Sequence, residues 1–575
     1  MPDQHNPSVP SYVEVLRRLS GHGVASKVWL PAAESSIEFI KQNVLDEWVV
    51  IYAGLSHALV HAVLAQRKGL NEPSWADFDD GCFRADRSYR IEFAMGGGRP
   101  DRVYLASAFG NDNRMLKGGE KLVFIRSWAG SEKISIEISQ KMVHALDIHY
   151  VEERSAYCRI DALGDIQEVV KIVEIEDDGI NGRVRVVAVR ASDLYEYARL
   201  AKMGLVFLFD FTRFCLKGFN GWGNPVPFEH TDSRLHYDGG SQGGTGSFVN
   251  GRFVFLPTMS NREIVRRHRE AWSPKKGQYA KFKAVDLETG KQIETSCAPD
   301  KVSNYFEKES TLPLEMSPAF FKPEVLAKYK ADSDKYQLEQ RSVRCRGAWC
   351  LETYDVNKAG QVHTYLRYLR MLPYEEQIYW QSFNEWPKGP ISRRAYLTDF
   401  EGSWVSEYEP LGALSRKVAT LDGAAPEWWK PRGAELVRAV HYPITDSTDE
   451  WIDSIMSLDQ LVVEGFQEKA LRKLATALGR KPEKEWRSIT LLEACLLGSN
   501  VQDDEAKKAA QAFRAVHELR HLKGHAAASR RADEAKRARK DFGGFRAHFE
   551  MLAQGCDEAL HHVMEGLGVR ALREP

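Results

Sequence analysis

A chain of 575 residues with 43% hydrophobic and 28% charged residues has the make-up of an ordinary globular protein and material for about three or four domains. Its 79 Lys and Arg stand against 80 Asp and Glu, a net charge of -1. No chain-wide basic field points to nucleic acid, so any such footprint must be local.

The N-terminus, Met1 to Pro10, is polar and lacks an apolar signal core. Residues 10–80 read mainly as helix. The most apolar stretch, Trp48 to Leu64, is interrupted by Ser56, His57 and His61 and falls short of the roughly 20 apolar residues a membrane span needs. It is expected to be a buried helix, in a cytoplasmic protein without a membrane partner. From about residue 85 the period changes to two. Ser88–Met95, Arg102–Ala106, Lys121–Arg126, Lys133–Ser139 and Arg183–Arg190 alternate like strands, and a helix is expected near Asp193–Lys202. Asn250-Gly251, between Phe248-Val249 and Arg252-Phe253, carries the residues a type I′ hairpin turn requires. A second hairpin is expected over Gln278–Ser296, turning at Glu288-Thr289-Gly290.

Aromatics and prolines become dense beyond residue 316. Short helices are expected at Gln361–Leu369 and Tyr374–Phe383, separated by Pro373. After Tyr442-Pro443 the pattern is helical to the end. Thr445, Asp446 and Ser447 are candidate N-caps, followed by Asp449 and Glu450 at the positive end of the dipole. Ile455, Leu458, Val462 and Phe466 continue at helical steps until Gly479 and Pro482. Trp486 to Leu496 form a second apolar stripe, Phe513 to Leu519 a third, and Phe545 to Leu567 a fourth. Four such stripes must bury one another in a bundle. The fold class expected is thus an α+β multidomain protein. Its parts are a helical N-terminal region (1–84), a β-rich domain (85–315), a mixed aromatic-rich domain (316–445) and an all-helical C-terminal domain (446–575).

The eight cysteines are mostly isolated. Cys345 and Cys350 lie close, without a second Cys/His pair to complete a zinc site. All are expected to be reduced.

The third C-terminal stripe ends in Arg520-His521-Leu522-Lys523-Gly524-His525. On a straight helix five residues advance about 500°, which would point Arg520 and His525 about 140° apart. Gly524, free to adopt left-handed conformations, ends the helix and lets His525 swing back. Arg520 borders the apolar stripe of Phe513 and Val516, where a fixed charge needs an anion, and none stands nearby in sequence. Glu464 and Glu468 are candidates to orient Arg520 or His525. The same spacing at Arg17 to His22 lacks the helical context.

A helical bundle carrying Arg-x4-His, with a polar residue directly after the Arg, resembles the HEPN superfamily of ribonucleases over residues 446–568. The layout, a long β-containing part before one such bundle, is similar to that of ApeA-type abortive-infection proteins. The resemblance implies a HEPN-type four-helix bundle and anti-phage, metal-independent RNA cleavage without a cofactor. In it Arg520 stabilises phosphate, His525 transfers protons and His521 orients or assists. It also implies a homodimer through this domain, since two motifs face each other in the family, and a phage-derived trigger sensed by the N-terminal regions. The basic residues Lys523, Arg530, Arg531, Lys536, Arg537 and Lys540 are candidate contacts for the RNA backbone. A solvated helix face, balanced by Asp533 and Glu534, is the alternative.

Two other functions compete. His230, Asp232, His236 and Asp238, followed by the Gly-rich stretch Gly239–Gly246, are a ligand set for a divalent metal and hence for a metal-dependent hydrolase. The segment reads as an exposed loop, and it lacks the Lys-Ser/Thr of a phosphate loop. The aromatic-rich middle, Tyr365 through Trp386 and Trp404, would suit a non-catalytic binding protein, although aromatics at that density also build cores.

Overall fold

The computed structural model describes residues 21–23, 33–55, 58–98, 100–109, 116–127, 134–177, 182–215, 228–242, 246–272, 278–307, 309–403, 408–445, 447–523 and 528–569. The chain divides into two compact units, Met1–Asp161 with Asp165–Pro274, and Ala162–Gly164 with Lys275–Pro575. β-sheets fill residues 48–365 and an all-helical region follows from residue 393 to 566. Among the described residues no helix is long and apolar enough to cross a membrane.

The first unit is built on a twelve-stranded sheet. Ten of its strands, in chain order, are β1 (Trp48–Leu55), β2 (Ala58–Gln66), β3 (His149–Val151), β4 (Ala156–Ile160), β5 (Ile166–Asp177), β6 (Gly182–Arg190), β7 (Met203–Cys215), β8 (Phe228–Thr231), β9 (Leu235–Gln242) and β10 (Gly246–Phe255). They lie side by side in the order β8-β9-β10-β7-β2-β1-β6-β5-β4-β3, all antiparallel. The apolar run Trp48 to Leu64, expected as a buried helix, is thus the β1–β2 hairpin. The reason is burial on both faces. Val60, Ala62 and Leu64 of β2 enter one core and Val63 and Ala65 enter another. In β7, Leu205, Phe207 and Phe209 face the first core, Val206 and Leu208 the second. A strand covered on both sides shows no polar alternation and reads like a buried helix.

Asn250-Gly251 is also not a turn. Both residues sit inside β10, opposite Asp210 and Phe209 of β7. Gly251 is needed for clearance, since a Cβ there would stand 2.3 Å from Phe209 Cζ and 2.8 Å from the His236 carbonyl oxygen. The expected strands do form, at Arg90–Ala94, Arg102–Ala106, Val123–Ser127, Ile134–Ile138 and Gly182–Arg190. The helix expected near 193–202 spans Ala191–Leu200.

In the second unit, Lys281–Val285 and Gln292–Ser296 make the expected hairpin, with Gly290 at φ +69° in its turn. The first of these strands pairs with Pro318–Phe321, so the hairpin belongs to the sheet that continues past residue 316. Residues 362–365, expected within a helix, are a strand of that sheet, followed by helix Leu366–Arg370. The dense aromatics build this core: Trp380, Phe321 and Phe282 are fully buried, and Phe321 and Trp380 meet edge to face at 4.9 Å. Trp404 lies outside the described residues.

The helical region contains α1 (Pro410–Ala424), α2 (Thr448–Val462), α3 (Glu468–Ala477), α4 (Ser488–Gly498), α5 (Asp503–Arg520), α6 (Ala528–Phe542) and α7 (Phe545–Gly566). It starts earlier than residue 446, because Leu411, Leu414, Val418 and Leu421 of α1 share the bundle's core. Ser447 caps α2, its hydroxyl accepting from the Glu450 amide; Asp446 lies outside the described residues. The helix expected to run on to Gly479 breaks after Val462, and Gly465 sits where a Cβ would meet the Trp429 ring at 2.4 Å.

Candidate active site in the helical bundle

α5 ends at Arg520 and tightens into a 3-10 turn, His521–Lys523. The last turn of α5 packs against α2, which presents Asp459 from the middle of an apolar face formed by Ile455, Leu458 and Val462. Asp459 has no solvent exposure, and each of its oxygens is used. Arg520 Nη1 donates to Oδ2 at 2.7 Å, and His517 Nδ1 lies 3.0 Å from Oδ1. Arg520 Nη1 also donates to Glu464 Oε1 at 2.5 Å. The hydrogen bond from Asp459 pushes the Arg520 pKa further up, against the cost of burial, so the guanidinium is a permanent cation whose side chain remains 34% exposed.

A carboxylate can only accept, so it selects the His517 tautomer with the proton on Nδ1. The other ring nitrogen remains on a half-exposed side chain. The His517 ring meets the His521 ring edge-on at 5.4 Å, and His521 itself is exposed. The site therefore gathers a solvent-accessible fixed cation, a carboxylate-oriented histidine and a second histidine within one turn. Such a set can bind a phosphate and move protons at neutral pH without a metal.

Of the residues expected from sequence, Arg520 and His521 are brought together and Glu464 joins them. Glu468 does not; it pairs with Arg472 and Arg487 at 3.4 and 3.6 Å. His525 lies outside the described residues. The anion that Arg520 needed is Asp459, 61 positions away in sequence. His517 was missed as well, although His517, Arg520 and His521 stand at the i, i+3, i+4 spacing that shares a helix face.

The basic run is partly balanced by acids. Lys523 pairs with Asp453 at 2.8 Å, Arg530 with Glu518 at 3.8 Å, Arg531 with Asp449, and Arg537 with Asp541 at 3.6 Å. Lys536 and Lys540 are exposed on α6.

The competing metal set does not converge. β8 and β9 form a hairpin in which His230 pairs with Tyr237 and Thr231 with His236. Paired residues share a face and neighbours along a strand alternate. His230 and Asp232 therefore face one side of the sheet, His236 and Asp238 the other. His230 bonds Asp232 at 3.1 Å and stacks on Tyr237, while His236 bonds Thr231 and stacks on Trp75. Among the described residues no group of three or more His, Cys, Asp or Glu is placed to hold a metal. The stretch expected as an exposed loop is largely strand, with Gly239 and Gly240 inside β9; residues 243–245 lie outside the described residues. Cys82, Cys158, Cys297, Cys345, Cys350, Cys495 and Cys556 are free thiols.

No family model, curated protein or solved structure matches this chain.

Proposed function

We propose that the protein is a metal-independent endoribonuclease of the anti-phage, abortive-infection type, acting at Arg520 in the helical bundle. The observation that carries this reading is the buried Asp459 holding Arg520 and His517 side by side at the solvent boundary. The resemblance of Arg520 to His525 to the HEPN motif supports it. In the proposed reaction a histidine base removes the proton of an RNA 2′-hydroxyl. The 2′-oxygen forms a bond to the adjacent phosphorus, and the bond to the 5′-oxygen breaks. A histidinium returns a proton to that leaving oxygen, giving a 2′,3′-cyclic phosphate and a 5′-hydroxyl end. Arg520 stabilises the charge on the phosphoryl oxygens. His525 and His517 are the proton carriers, and His521 positions them. Lys523, Arg530, Arg531, Lys536, Arg537 and Lys540 would hold the RNA backbone. Pairing of two bundles in a homodimer would supply one histidine as base and another as acid, and residues 1–445 would sense a phage-derived trigger.

The test is cleavage of a single-stranded RNA by the purified full chain in excess EDTA, with the product ends identified. Arg520→Ala is expected to lower the rate by about 100-fold or more, and His525→Ala and His517→Ala by about 100-fold if each transfers a proton. Cleavage that persists in Arg520→Ala, or that EDTA abolishes, overturns the reading.

A further inference from the structure

Within the second unit, a cavity of about 320 Å³ opens between the aromatic-rich domain and the helical region. That is the lower end of the size range for small-molecule sites, about 300–1,000 Å³. Its walls are apolar on both sides, with Leu338 and Val356 from the strand-rich part and Val437, Val440 and Ile444 from the helical part. Two tyrosines, Tyr354 and Tyr442, complete the lining.

The charges of the lining are not balanced in use. Glu409 accepts from the Leu411 and Gly412 amides and from the Tyr442 hydroxyl. Glu339 accepts from Gln337 at 3.0 Å and Ser342 at 2.6 Å. Glu409 is thus committed to holding the wall in shape, and Glu339 also lies 3.7 Å from Arg344, in the wall of a neighbouring cavity. The two arginines of this slot are not so used. Arg438 is exposed at the end of helix Gly433–Ala439, and Arg546 lies over the Tyr442 ring at 4.7 Å. Among the described residues neither guanidinium has a carboxylate partner. A second cavity of about 580 Å³ shares Gln337 and Arg438 as a common wall. It adds Lys335, Arg344 and Arg346 to its lining, with Arg346 paired to Asp334 and Arg344 lying 3.7 Å from Glu339, so that Arg438 is the cation the two cavities share.

An apolar slot with aromatic and arginine walls, joined to a vestibule of excess positive charge, matches a ligand with a flat ring at one end and an anion at the other. We propose that the two cavities together bind a nucleotide, with the base in the slot beside Tyr354 and Tyr442 and the phosphate in the vestibule against Arg438. Arginine is suited to both tasks, stacking on planar rings and clamping phosphate oxygens. Burial drives the pKa of His441, on the slot wall, down to about 4, so it meets the base as a neutral donor and acceptor. The inference does not depend on the ribonuclease reading, because it concerns other residues and is tested by binding alone.

The experiment is calorimetric titration of the full chain with AMP, GMP, CMP and UMP, each beside its nucleoside and inorganic phosphate. At least one monophosphate is expected to bind about tenfold or more tightly than its nucleoside and than phosphate, since a charge-assisted contact is worth at least that factor. Arg438→Glu, an exposed position, should weaken that ligand by about tenfold or more while leaving the melting temperature unchanged. Val437→Trp should fill the slot and abolish binding. The proposal is overturned if no monophosphate binds below about 1 mM, if phosphate alone binds as well as the nucleotide, or if Val437→Trp binds like the wild type.

Discussion

Asp459 is the residue on which the candidate site turns. It is fully buried on an apolar helix face, and both its oxygens accept hydrogen bonds from cationic or cationisable partners. Asp459→Asn keeps the volume but removes the charge and turns an amide donor toward one of two existing donors. A buried group left mismatched costs about 1–3 kcal/mol. Glu464, the other partner of Arg520, is 38% exposed, and Glu464→Gln is expected to cost no more than about 1 kcal/mol. Urea unfolding of the full chain, read at the midpoint of the helical transition, checks the contrast. Equal shifts for the two variants would mean that the burial of Asp459 does not govern its contribution. At this scale Arg520 was legible in the sequence but its support was not. What marks Arg520 there is His525 standing five residues on, with His521 between them. Asp459 stands between Leu458 and Leu461 on another, and no local pattern marks a buried acid whose partner lies 61 residues on. His517 is different: it stands three and four residues before Arg520 and His521, on the same helix face, and a count of histidines one turn back would have found it.

Elements were legible where polar and apolar residues alternate along the chain. Arg90–Ala94, Ile134–Ile138 and Gly182–Arg190 alternate, and their strands form as expected, although Ile91 and Phe93 stay exposed and Val186 to Val189 are all buried. β2 and β7 carry apolar residues on both faces into separate cores, so period two vanishes and length alone favours a helix. Asn250-Gly251 failed for a related reason. A glycine in a strand marks either a turn or a close approach, and sequence cannot separate the two. The structure makes a specific demand on that position. Gly251 faces Phe209 Cζ at 2.3 Å, Tyr237 Cβ at 2.7 Å and the His236 carbonyl oxygen at 2.8 Å from an ideal Cβ. Two of these neighbours lie on the adjacent strand β9, and the backbone oxygen cannot rotate away. Gly251→Ala is expected to destabilise the first unit by about 1–3 kcal/mol through overpacking, visible as a lower melting temperature. In a type I′ turn the dominant cost would instead be the positive φ, and Gly251→Asn would be milder than Gly251→Ala. In a strand both are costly, and Asn, the larger, is worse. Thermal melts of the two variants therefore separate the two roles, and a milder Gly251→Asn would sink the mid-strand account.

For the molecule as a whole, a β-rich body followed by a helical end was legible, although the sheet begins within residues 1–84, which were expected to be helical. What sequence did not show is where titratable groups end up buried, and this sets how the protein responds to acid. Burial drives the pKa of His61 in the first unit to about 4, and likewise those of His363, His441 and His548 in the second. The contacts agree with neutral rings. His363 Nε2 accepts from the Ser392 amide at 3.0 Å, and His548 Nδ1 accepts from Trp451 Nε1 at 3.2 Å. In the unfolded chain a histidine titrates near 6.5. Between pH 6.5 and 4 the unfolded state therefore holds protons that the folded state refuses. The stability is fully present above about pH 6.5 and is lost as pH falls toward 4. Each such histidine contributes a slope of about 1.4 kcal/mol per pH unit within the window. Among the described residues, three in the second unit make about 4 kcal/mol per unit, against about 1.4 for the one in the first. Domains are stable by only about 5–15 kcal/mol, so the second unit should lose stability faster than the first as pH falls. Asp355 and Glu450 have carboxyl pKa values lowered below the ordinary range. Their contributions are lost only at more acidic pH, so they leave the slope above pH 5 to the histidines. Calorimetry at pH 7.5, 6.5 and 5.5 should show one transition moving down roughly three times as steeply as the other. His548→Gln should reduce the steeper slope by about one proton, because a neutral amide keeps a polar contact with Trp451 but cannot titrate. Two transitions that move together, or a His548→Gln slope equal to the wild type, would show that burial of these rings does not control the acid response.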